Sequence, residues 1–191
     1  MSEDDCGHRG LGCVEARPQK ESEGRAMIFM GIDPGASGGW AIVAEDGYLV
    51  RHDKLRDGDG KQQKEKLTAW DRFVANLSSP AQFDLILLEK VWATPQMGVT
   101  SAFSFGMNFG RICGTLDALK RPYREITSMA WQRQMGLIMS GRQIGQNDDK
   151  KARNKAAAQA MHPGETITHA TADAILIAEC ARRLWLERTG Q

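Results

Sequence analysis

Residues 27–47, MIFMGIDPGASGGWAIVAEDG, place Asp33 at the end of an apolar run and follow it at once with Pro34, Gly35, Ser37, Gly38 and Gly39. Such an aspartate either turns the chain or is held at a strand end for chemistry, and the stretch alone leaves both open. Its surroundings give the fold class. GGWAIVA and GYLVRHD flank Glu45-Asp46-Gly47, and Asp-Gly between two β-prone runs predicts a hairpin. FDLILLEK is a second apolar run, ending in Glu89. Helical spacing of Leu67, Trp70, Phe73, Val74 and Leu77 predicts a helix over 61–77 with those residues buried. Further helices are expected over 98–119, 150–161 and 169–186, with a short strand at 124–127. Thr127 or Ser128 is the expected cap of a helix carrying Trp131 and Met135. The order predicts an α/β domain whose mixed sheet begins with an antiparallel hairpin, continues with parallel strands and is flanked by helices.

The chain has 191 residues, of which 41% are hydrophobic and 26% charged, as in a globular domain. Its net charge of +1 neither demands nor excludes nucleic acid, so a local basic patch has to carry that case. No apolar run approaches a membrane span and the first residues lack an apolar signal core, so no membrane partner and a cytoplasmic location are expected. Residues 1–26 are polar and aperiodic and read as a disordered extension, leaving 27–191 as one domain. Cys6, His8 and Cys13 lack a fourth metal ligand, while Cys113 and Cys180 lie in apolar helical contexts and read as buried thiols.

Three acids stand out. Asp33 and Glu89 each close an apolar strand, where a carboxylate gains nothing from the core. On parallel neighbouring strands both would emerge at one sheet edge, the usual ligand site of open α/β sheets. Asp173 lies in ITHATADAILIAECA, early in a helix too apolar to leave it without a partner, and His169 is one turn before it. Taken singly, each acid could be a turn former, a cap or a solvated strand end. Together they are the oxygen-rich set that hard divalent cations take, two of which can clamp a phosphodiester displacement.

At these intervals GIDPGASG, LILLEKVW, TSAFSFGMNFGRICGTLDAL, ITSMAWQRQMG and ADAILIAECARR resemble the RuvC-type Holliday junction resolvases of the RNase H-like superfamily, especially the short phage and prophage forms, over residues 27–183. The resemblance implies an RNase H-like fold and a homodimeric endonuclease that makes paired nicks in four-way DNA junctions, in a bacterial or phage-infected cell. It implies two Mg²⁺ or Mn²⁺ ions held by Asp33, Glu89 and Asp173, with His169 as a further ligand or acid–base group. His169 departs from the phage-type pattern, which has an acid four residues before the final aspartate. That departure keeps open a junction-binding protein with weak cleavage, beside a related nuclease acting on other branched or RNA-containing substrates. Branched DNA would be met by Lys150, Lys151, Arg153 and Lys155 at the start of one helix, by Arg142, by Ser37 on the glycine loop and by Trp92 as a stacking aromatic. Phe103, Phe105, Met107 and Phe109 are expected in the core or a dimer contact, and His162 on the surface.

Overall fold

The computed structural model describes residues 25–56, 67–92, 97–138 and 149–190. Strand β1 (Ile28–Ile32) lies between β2 (Gly39–Ala44), antiparallel to it, and β4 (Leu85–Lys90), parallel to it. The hairpin partner β3 (Leu49–Lys54) and the parallel strand β5 (Arg124–Thr127) complete a five-stranded sheet of order β3-β2-β1-β4-β5. The expected turn at Glu45-Asp46-Gly47 closes the hairpin. Gly47 has φ +87°, and the Asp46 carboxylate accepts from the Tyr48 N–H at 2.9 Å.

Both faces of the sheet are apolar because alternate residues of each strand enter different cores. Phe29, Ala41, Val43, Leu85 and Leu87 face a cluster built on α5 (His169–Thr189) and α4 (Lys150–Met161). Met30, Ile32, Trp40, Ile42, Ile86 and Leu88 face the other way, onto α1 (Ala69–Ser78) and α2 (Val99–Ala118). The short α3 (Ser128–Gln134), capped by Thr127, places Trp131 in the α5-side core.

Helix α5 lies directly on the sheet. A Cβ on Gly31 would stand 2.2 Å from the Ala178 backbone N and 2.3 Å from the Ala174 carbonyl O, and one on Gly39 would stand 2.5 Å from the Ala170 O. Glycine at these positions is required by helix–strand approach.

Several expectations are corrected. Helix α1 begins at Ala69, because Thr68 caps it in a capping box with Asp71, and this leaves Leu67 exposed ahead of the helix. The expected part of that helix over 61–66 lies outside the described residues. Met135 is the C-cap of α3 rather than a helical residue. Phe109 packs against the α1–α2 core; Phe103, 68% exposed, and Met107, 60% exposed, lie outside that core on the outer side of α2, where the expected dimer contact would fall. His162 is only 9% exposed; it ends α4, its N–H bonds the Ala158 carbonyl, and burial lowers its pKa. Cys180 is fully buried, its thiol pushed up to about 12 chiefly by burial, whereas Cys113 is only half-buried. No helix among the described residues is long and apolar enough to cross a membrane.

Candidate active site

Strand parity builds the site. Residues 29, 31 and 33 share the α5 side of β1, as 85, 87 and 89 share that side of β4. The register pairs Ile32 with Leu88, so Asp33 and Glu89 are neighbours one step on. Asp173 sits in the second turn of α5, against the same end of the sheet. Side chains 140 positions apart in sequence are thus near enough for Asp33 to feel the charges of Glu89 and Asp173 where the parallel strands end.

Burial, then the Glu89 and Asp173 charges, raise the Asp33 pKa to about 7, although the Gly35 N–H donates to its Oδ1 at 2.9 Å. Burial also raises Glu89, opposed by hydrogen bonds from Trp131 and Ser128 and by the charge of Lys150. Trp131 Nε1 donates to Glu89 Oε1 at 3.2 Å within the core. The partner Asp173 needs is Asn154, a fully buried α4 residue whose Nδ2 donates to Asp173 Oδ1 at 2.8 Å. The Asn154 Oδ1 is buried without a partner among the described residues.

The Asp33 loop is tied down as well. Asn108 of α2 donates to the Pro34 carbonyl at 2.6 Å. A Cβ on Gly38 would stand 2.1 Å from the Asp33 carbonyl O, so this glycine serves the tightness of the loop.

The remaining candidates are distributed around this point. Lys150 is exposed on the first turn of α4, donating to Ser128 Oγ at 2.9 Å with its charge felt by Asp33 and Glu89. Arg153 donates to Gln132 Oε1 at 3.1 Å. Lys151, Ser37, His169 and Trp92 are exposed, and Lys155 is half-buried. Arg142 lies outside the described residues. Sequence reasoning missed Asn154, Ser128 and Gln132. A polar residue in the alanine-rich run KKARNKAAAQA was the available signal for Asn154; Ser128 had shown itself only as a helix cap.

The donor chemistry fits a hard divalent cation, since three carboxylates share one sheet edge and their repulsion is compensated only in part by Lys150. Among the described residues no three His, Cys, Asp or Glu side chains already enclose one metal position.

The architecture is similar to the α/β fold of RuvC. Two solved structures carry the likeness. Thermus thermophilus RuvC is 18% identical, with a TM-score of 0.56, over 86% of this chain and 97% of that one. The T. thermophilus RuvC complex with a Holliday junction substrate is 17% identical at the same TM-score and coverage. At that identity the likeness is one of fold. No protein-family model matches the chain, and no curated protein matches it significantly.

Proposed function

We propose that this chain is a divalent-metal-dependent endonuclease that resolves four-way DNA junctions by paired nicks, acting as a homodimer with one site per copy. The observation that carries the reading is the convergence of Asp33, Glu89 and Asp173, close enough that mutual repulsion helps raise Asp33 to about 7. A cluster of like charges, one of them buried and two part-buried, is costly to the fold and is expected where it serves a function. The RuvC fold, one of whose structures holds a Holliday junction substrate, supports branched DNA as the ligand.

The three carboxylates would hold two Mg²⁺ or Mn²⁺ ions, which supply the clamp on the attacking and leaving oxygens of an in-line displacement. The chain's own residues do the rest. Asn154 fixes one oxygen of Asp173, and Trp131 fixes one oxygen of Glu89. Lys150 supplies positive charge beside the acids, where a DNA phosphate also has to come. His169, exposed on the first turn of α5, is in reach of solvent as a further ligand or proton carrier. Lys151, Arg153 and Lys155 on α4 extend the phosphate track, and Trp92 and Ser37 offer a stacking face and a hydroxyl, while Arg142 enters on its charge in the sequence alone.

The pairing surface we assign is the outer side of α2. Val99, Phe103 and Met107 follow one another at four-residue intervals and are 87%, 68% and 60% exposed. Gly106, Gly110 and Gly114 meet no atom within 4 Å of an added Cβ, leaving the backbone open to a second helix.

A junction-binding protein without cleavage is the second reading, favoured by Ala170 and Thr171, which add no carboxylate beside His169. One experiment separates the two: nicking of a synthetic four-way junction against linear duplex, in Mg²⁺ and in Mn²⁺, beside Asp33→Asn. Symmetric metal-dependent nicks lost in Asp33→Asn are expected. Tight junction binding with no cut in either metal would replace the nuclease by the binding protein.

A further inference from the structure

Gln132 of α3 is a glutamine the fold buries, with only 4% of it exposed. A buried amide is costly unless both of its ends are bonded. Here the two ends are met on different helices. Gln132 Oε1 accepts from Arg153 Nη2 at 3.1 Å, and Gln132 Nε2 donates to Ser128 Oγ, one turn earlier on α3, at 2.7 Å. A guanidinium can only donate, so the amide has one permitted orientation. The same Ser128 Oγ accepts from Lys150 Nζ at 2.9 Å. Lys150 and Arg153 are neighbours on one face of α4. Two side chains a turn apart on α3 thus hold two cations of α4, one directly and one through the serine.

These holders are neutral. A carboxylate in either place would also fix the cation but would cancel its charge. An amide or hydroxyl oxygen fixes the side chain and leaves the charge to act on a phosphate. Each cation has more donors than these bonds take, five on a guanidinium and three on an ammonium. Long basic side chains lose rotamer freedom when they bind, and those already held lose less.

We infer that Gln132 is a positioning residue for junction DNA, aiming Arg153 directly, and Lys150 through Ser128, at the phosphate backbone. The inference rests on reading α4 as the phosphate track of a junction nuclease. A glutamine that served packing alone would show as lost stability, with the phosphate contacts of the folded protein unchanged.

The test is binding of a synthetic four-way junction by the full chain in a chelator, followed by fluorescence anisotropy over a range of NaCl, with thermal unfolding alongside. Each lost phosphate contact lowers the slope of log affinity against log salt by about 0.9, which is about 8-fold in affinity at 0.1 M NaCl. Gln132→Met, close in size but without the amide, is expected to show that loss of slope and affinity. Gln132→Glu keeps an acceptor for Arg153, so it should hold the unfolding midpoint yet lose as much slope, because it cancels the charge. Ser128→Ala is expected to act in the same way through Lys150 alone, and it carries the test if Gln132→Met fails to fold. In a chain carrying both Lys150→Met and Arg153→Met, adding Gln132→Met should change affinity less than about twofold. A wild-type slope in folded Gln132→Met or Ser128→Ala, with a reduced slope in the Lys150→Met and Arg153→Met chain, overturns the inference alone. An unchanged slope in that chain, or no junction binding by the wild type, overturns the phosphate track and the inference with it.

Discussion

Asp33 is a carboxylate that the fold makes expensive to ionise. Its folded pKa of about 7 lies above the value near 3.9 of an unfolded aspartate, so the folded chain holds the extra proton between those pH values. Stability of the metal-free protein should therefore fall as pH rises through that window, the penalty being complete above about pH 7. Asp33→Asn should abolish nicking yet stabilise the protein at pH 8 by about 1–3 kcal/mol, and flatten the slope between pH 5 and 8. Thermal unfolding in a chelator checks this, and a wild-type midpoint that does not fall with pH contradicts it. Added Mg²⁺ should restore wild type more than the variant. The three acids were legible in the sequence because each interrupts an apolar run, and a charge there has to have a reason. Asn154 and Ser128 were not, because their meaning lies in partners on other elements. His162 misled because the proline after it suggested a surface turn, whereas the helix end it caps is covered.

Among the elements, α5 does most to position the site, and its contact with β1 depends on a missing side chain. Gly31→Ala would drive a methyl into the backbone at Ala174 and Ala178, which flexible side chains cannot relieve. We expect a loss of about 3 kcal/mol or failure to fold, read as a lower denaturant midpoint. Farther along α5, Glu179 is buried between Arg182 and Arg183, and Arg182 also donates to the Glu45 carbonyl at the hairpin. Burial pushes Glu179 up, but the arginines outweigh it and the net shift is downward. Its contribution is thus present at neutral pH and lost as pH falls through the lowered folded value. Glu179→Gln should cost about 2 kcal/mol at pH 7 and much less near pH 3. Helix α2 was legible as a helix but not in its orientation. Its glycines dilute the periodicity, so nothing in the pattern says that Phe103 faces outward while Phe109 faces in. Phe103→Glu should convert a dimer to a monomer without lowering the unfolding midpoint, as sedimentation velocity and thermal melts would show.

For the whole molecule, the sheet is a divider. Its α5 side carries the acids, and its α1–α2 side leads out to the exposed face of α2 proposed above for pairing. Strand order and the mixed sheet could be anticipated because the hairpin turn and the parallel runs are local signals. The meeting of α3, α4 and the sheet could not, since it depends on contacts between elements far apart in the chain, such as Asn154 with Asp173 and Trp131 with Glu89. If each copy cuts one strand, a mixed dimer of wild-type and Asp33→Asn chains should nick a junction on one strand only. Two opposed cuts from that mixed dimer would show that a single site serves both strands.

The alternation of faces along β1 and β4 also sets which kinds of genetic change this domain survives. Substitutions on one side of a strand leave the other side's pattern intact. Loss or gain of a single codon between Ile28 and Ile32, or between Leu85 and Leu88, inverts every later side chain of that strand and carries its acid to the far side of the sheet. Length within these two short strands should therefore be guarded more strictly than the identity of any apolar residue in them.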